Sequence, residues 1–261
     1  MQVSHQSNSG SAVAAYLTDE RLSLHHKALR KQEWFTGIDW ESPIQIPENL
    51  IDTAWYITSQ SSFAEQTGML AAAILMIEAP DLATQLCYST AVQDEAIHIE
   101  AFSRSAIRLK GTVKPPENHF REQRSIALNP ESSYLTRLVI HTLLEGWATD
   151  EFSIFADTFK NDLLGEIYTH VYSDESRHVR IGLSCIRKLL AEPRMTEDFS
   201  LEEAEALAVQ AARLSEETLA GLAKMSGRTP EEIRRWFDER HTSRMEQITF
   251  SNVPKNFYEA N

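Results

Sequence analysis

Gln93-Asp94-Glu95-Ala96-Ile97-His98 decides the fold, and Ser173-Asp174-Glu175-Ser176-Arg177-His178 repeats its pattern. Each is an Asp-Glu-x-x-His set inside a long stretch of helically spaced apolar residues, and neither contains Gly or Pro. On a helix, residues i and i+3 share a face about one turn apart. Glu95 and His98 can therefore reach one ion together, and so can Glu175 and His178.

Working outward, Glu65 lies 30 residues before Glu95, and Glu145 lies 30 before Glu175. Pro80 stands midway in the first interval, and the polar break Lys160-Asn161 stands midway in the second. If each interval is two antiparallel helices folded at its midpoint, the two Glu residues of each pair return to one height, roughly 22 Å from the turn at 1.5 Å per residue. Docking the two hairpins then gathers four carboxylates and two imidazoles at one level of a four-helix bundle. A single Glu-x-x-His in an acidic helical chain is ordinarily a solvated face. Two copies with matched upstream glutamates are not. Four carboxylates in an apolar bundle repel one another and lose their hydration unless they are neutralised. Two divalent cations carry the charge that balances them.

Composition agrees with an all-α chain. Its 261 residues hold nine Gly and nine Pro, and the formal net charge is −13. That charge argues against nucleic acid, which needs clustered Lys and Arg. The short basic groups Lys27/Arg30/Lys31 and Arg234/Arg235 are flanked by acids and read as solvated helix faces. Cys87 and Cys185 do not make a disulfide framework. Residues 1–10 lack the basic and apolar regions of a signal peptide. The longest apolar run, Met69 to Ile77, is too short to span a bilayer. A soluble cytoplasmic protein without a membrane partner is expected.

One domain is expected over 1–261, in three parts. Residues 11–46 are an accessory helix, Ser11 to Phe35, and a loop, preceded by a disordered polar start. Residues 47–191 are the bundle, with helices from Pro47 to Glu78, Pro80 to Lys110, Asn129 to Phe159 and Asn161 to Ala191. A Pro-rich crossover from Gly111 to Asn129 joins the hairpins. Residues 192–261 hold two accessory helices, from the capping box Ser200-Leu201-Glu202-Glu203 to Met225 and from Thr229-Pro230 to Thr249. These cover the bundle or form an oligomer contact, and a homodimer is expected. The tail, Phe250 to Asn261, is either disordered or closes over an opening. His25, His26 and His119 read as surface or packing residues.

With Glu65, Asp94-Glu95-x-x-His98, Glu145 and Asp174-Glu175-x-Arg177-His178 in view, residues 47–191 resemble the ferritin-like di-iron carboxylate superfamily. The likeness is greatest to its oxygenase branch of multicomponent monooxygenases, arylamine N-oxygenases and aldehyde-deformylating oxygenases. The resemblance implies ligation by Glu65, Glu95, His98, Glu145, Glu175 and His178 of two iron ions, with a manganese–iron pair as the alternative. It implies that Asp94 and Asp174 support ligand histidines from behind, as a ligating imidazole needs its other N–H held. Arg177 fits the cation that holds those aspartates, although Ile97 stands at the matching place in the first motif. Thr149 matches the active-site threonine of bacterial multicomponent monooxygenases; the competing reading is a hydroxyl bonded back to its own helix. His141, four before Glu145, is either a further ligand, a hydrogen-bond donor to one, or a buried core histidine. The extra histidine of the arylamine N-oxygenases falls instead at Val171.

The function so implied is a non-haem di-iron monooxygenase, an oxidoreductase that uses O2 to hydroxylate, N-oxygenate or cleave a small organic substrate. An external electron donor of the ferredoxin type is implied. Tyr88, Phe102, Trp147, Phe152 and Tyr172 are candidates to line its cavity. Two alternatives remain. One is iron oxidation and storage as in ferritins, which are more compact. The other is a radical-generating small subunit with a Mn/Fe centre, against which Phe102 stands at the usual radical-tyrosine position.

Overall fold

The computed structural model describes residues 19, 21–31 and 33–249. The expected disorder of residues 1–10 and the reading of the tail lie outside them. The described residues form helices joined by turns and loops: α1 (Arg21–Lys31), α2 (Trp34–Gly37), α3 (Glu48–Ile77), α4 (Leu82–Lys110), α5 (His119–Ala127), α6 (Tyr134–Thr158), α7 (Leu163–Leu190), α8 (Leu201–Ala211), α9 (Glu216–Ser226) and α10 (Pro230–Thr249). No helix among them is long and apolar enough to cross a membrane.

Helices α3, α4, α6 and α7 are the four rods of the bundle, and local chemistry fixes their ends. Asp81 caps α4, its carboxylate accepting from the Thr84 N–H at 2.9 Å. Gly111 ends α4 at φ 75°, a left-handed conformation that favours glycine, and donates its N–H to Ile107. Ser133 caps α6 and Asp162 caps α7 in the same way as Asp81. The short links 78–81 and 159–162 make α3/α4 and α6/α7 antiparallel hairpins. The two arms of the second hairpin approach closely where Gly182 of α7 meets Thr142 of α6: a Cβ there would lie 2.0 Å from the Thr142 hydroxyl.

Two apolar clusters fill the bundle. One gathers Ile57, Phe102, Phe152, Phe155, Tyr168 and Val171, and the other Leu75, Tyr88, Leu138, Ile140, Val179 and Ile186. Along every rod the two clusters are separated by the same level, that of Glu65, Glu95, Glu145 and Glu175. The carboxylates therefore sit between two apolar plugs that exclude water from either end.

The structure departs from the sequence reading in three places. The crossover is not all loop, because α5 forms over 119–127. The first C-terminal helix breaks at 212–215, where Ser215 caps a new helix by accepting from the Thr218 N–H. Helix α6 starts at Tyr134 after the Ser133 cap, so that Asn129 and Pro130 lie in the preceding turn.

Asp81 also binds the buried Arg21 at 3.1 Å and Lys188 at 3.0 Å. Burial alone would raise its pKa, but the Thr84 N–H, Lys188 and Arg21 together outweigh burial and hold it at about 2, below the ordinary 3.8. A depressed carboxylate pKa gives stability that is full above the ordinary value and lost as pH falls through the folded one. Asp81→Ala is thus expected to lose about 1 kcal/mol at neutral pH, the usual worth of a cap. In urea melts the gap to the unaltered protein should close as the pH falls from about 4 to 2.

Candidate metal centre

Six side chains reach one buried level from four helices: Glu65 from α3, Glu95 and His98 from α4, Glu145 from α6, Glu175 and His178 from α7. Their atoms make two overlapping groups. Glu65, Glu95, His98 and Glu175 each offer a ligand atom within 4.8 Å of the others, and so do Glu95, Glu145, Glu175 and His178. Glu95 and Glu175 belong to both. His98 Nδ1 lies 2.9 Å from Glu175, 3.2 Å from Glu65 and 3.7 Å from Glu95. His178 Nδ1 lies 3.2 Å from Glu95 and Glu145 and 3.3 Å from Glu175. Gly68 keeps α3 close to this level, since a Cβ on it would lie 3.3 Å from the Glu95 carboxylate.

Behind each imidazole stands an aspartate, and it comes from the opposite hairpin. Asp94 of α4 meets His178 Nε2 at 3.3 Å, whereas Asp174 of α7 stands 3.5 Å from His98 Nε2. The second contact is not aligned as a hydrogen bond. Arg177 joins the two aspartates, donating to Asp174 at 2.6 Å and to Asp94. Trp34 of α2 donates its indole N–H to Asp174 at 3.1 Å and stacks on His170, with ring centres 4.9 Å apart. The sequence pattern did not reveal Trp34, because no motif links residues 140 positions apart.

The electrostatics fit a pair of cations. Burial, then the charges of Glu175, Glu145 and Glu65, push the Glu95 pKa well up. Burial also raises Glu175, but the charge and close contact of His178 together with the neighbouring Glu145 outweigh it and bring the pKa down to about 2. Burial alone would lower both imidazoles; hydrogen bonds and charges from the surrounding acids outweigh it and raise both. All four oxygens of Glu95 and Glu175 are buried without a hydrogen-bond partner among the described residues. A buried polar atom with no partner is costly. Oxygen and imidazole ligands around two such positions suit iron or manganese, and the set fits two such ions.

His141 Nδ1 lies 2.8 Å from Glu145, and its Nε2 is buried without a partner. Thr149 donates its hydroxyl to the Glu145 carbonyl at 2.7 Å, back along its own helix. It does not line the cavity that reaches this level between α3 and α6.

This cavity, about 110 Å³, is lined by α3 and α6 under α5 and the α8–α9 turn. Glu65, Glu95, Glu145 and Glu175 all face it, together with His141, Trp147, Phe152 and Glu151. Of the expected aromatic liners, Trp147 and Phe152 are present; Tyr88, Phe102 and Tyr172 pack in the apolar clusters instead. Burial, then the charge of Glu65, push Glu151 up to about 7.

No family model and no curated protein sequence matches the chain. Solved structures do. An R2-like ligand-binding oxidase variant with an anaerobically reconstituted Mn/Fe cofactor aligns with a TM-score of 0.72 at 17% identity, over 94% of this chain and 98% of that one. Another variant, with an aerobically reconstituted Fe/Fe cofactor, gives 0.68 at 18% identity over 94% and 99%. At this identity the likeness shows a shared fold alone, the ferritin-like helical bundle.

Proposed function

We propose that this chain is a dioxygen-activating di-metal oxidase or monooxygenase that acts on a small organic molecule held in the 110 Å³ cavity. The observation that carries the reading is the pair of ligand groups sharing Glu95 and Glu175 and opening onto that cavity. Two iron ions, or a manganese and an iron, would supply the electrons that reduce O2. In this reading Glu65 and His98 hold one ion, Glu145 and His178 the other, and Glu95 and Glu175 are shared. Support comes from the similarly folded oxidases, whose cofactors are Mn/Fe or Fe/Fe.

The chain's own residues do the rest. Asp94 would hold the Nε2 proton of His178, and Asp174 would take that of His98 after a small realignment, which leaves each Nδ1 lone pair for a metal. Arg177 and Trp34 fix the aspartates, and His141 orients Glu145. Thr149, its hydroxyl turned to the Glu145 carbonyl, would need a rotamer change to reach the metal level. The apolar clusters above and below keep water from the reactive level. Each turnover that oxidises the ions requires an external reductant, and a ferredoxin-type donor is proposed.

Anaerobic loading with ferrous iron, then admission of air, tests the reading. Binding of two ions per chain, followed by oxygen uptake sustained by a reductant and a small organic substrate, is the expected result. Oxidation that keeps pace with iron far beyond two ions per chain, with mineral growth, would replace the oxidase by a storage protein.

A further inference from the structure

Glu151 stands apart from every other acid around the centre. Asp94 and Asp174 share Arg177, and Asp150 is paired with Arg240 and with Arg244 at 2.7 Å. The four glutamates of the metal level fit two divalent ions. Glu151 faces the cavity, and among the described residues no cation pairs with it. Its polar neighbour is Ser61, whose single hydroxyl proton is shared with the Ile57 carbonyl at 3.0 Å. The same cavity is lined by Gln123, whose Oε1 is a buried acceptor with no donor among the described residues. The inner part of the chamber is therefore well supplied with acceptors and has no buried Lys or Arg among its lining residues, in surroundings where an unpaired carboxylate is costly.

We propose that Glu151 is the specificity-determining residue of the cavity and that the substrate carries a protonated amine. An alkylammonium group has three N–H donors and one positive charge, and it offers what Glu151 and Gln123 lack. The apolar walls from Ile57, Trp147, Ala148 and Phe152 would take its short carbon chain. Arg213, which also lines the cavity, is exposed on the α8–α9 turn. It is the group a carboxylate substrate would seek, so the two substrate classes are separable. The inference takes from the proposed function only the location of the substrate cavity.

Calorimetric titration of the zinc-loaded protein tests it, because zinc fills the ligand set without reacting with O2. The probes are n-butylammonium chloride, sodium butyrate and 1-butanol. Butylammonium should bind at least about tenfold more tightly than butanol, the worth of a charge-assisted contact. Glu151→Gln should lose that advantage while leaving butanol binding and zinc stoichiometry unchanged, and Glu151→Asp should retain part of it. Absence of amine binding, amine binding unaltered in Glu151→Gln, or tighter binding of butyrate would overturn the proposal. Zinc stoichiometry below two with amine binding intact would instead count against the metal centre alone.

Discussion

A protein carrying Glu95→Gln and Glu175→Gln together is expected to melt at one temperature whether or not divalent metal is present. The unaltered protein should not. A ligand at a thousandfold excess over its Kd stabilises the native state by about 4 kcal/mol. For a chain of this size that raises Tm by roughly 10 °C for each ion. Glu95 and Glu175 belong to both ligand groups, so their loss disables both positions at once, whereas loss of Glu65 or Glu145 would disable one. The metal-free variant should also melt no lower than the metal-free parent. Both carboxylates are buried, lack hydrogen-bond partners and share their level with Glu65 and Glu145. Differential scanning calorimetry with and without ferrous or manganous ion under argon decides the matter. A full metal-induced shift in the double variant would remove the six side chains as a binding set.

Arg177→Met should lose about 3–5 kcal/mol, the penalty for breaking a buried ion pair from one side. The Arg177 side chain is 1% exposed, and the aspartates it joins are nearly as deep. Without it, Asp94 and Asp174 face each other's hairpin with no fixed counter-charge. Because the loss comes from those stranded carboxylates, adding Asp94→Asn to Arg177→Met should recover part of it, a coupling that a double-mutant cycle in urea measures. Additive losses would mean that Arg177 contributes through packing.

Much of this was legible in the residues. The two hexapeptides and the equal intervals behind them placed Glu65, Glu95, His98, Glu145, Glu175 and His178 at one level, because helical rise is constant and a hairpin returns to its own height. What lay across the bundle was not legible. The Asp before each Glu-x-x-His could have supported its own hairpin's imidazole or the other's, and only the docking of α4 on α7 selects the crossed pairing. Trp34 was hidden for the same reason. Helix α5 carries no capping signal, since Asn118 makes no side-chain bond at its start, and it follows two prolines. The break before Ser215 has neither Gly nor Pro to mark it; a serine followed by two acids was the signal available. Glu151 is six residues after Glu145, off the stripe of i+4 and i+7 neighbours, and yet it lines the same cavity, together with residues of α3.

The roof of the chamber has a consequence for how such a protein can change. Its floor is bundle, but His119, Phe120 and Gln123 of α5 and Leu214 and Ser215 of the α8–α9 turn belong to segments that contribute no metal ligand. The roof of the cavity is thus built from lengths of chain separate from those that carry the ligand set, while Glu151 and the apolar walls belong to the rods. Substitutions in the crossover and the C-terminal third can recut the space above the ions while the rods beneath stay as they are, so descendants of one oxidant can diverge toward different molecules without rebuilding it.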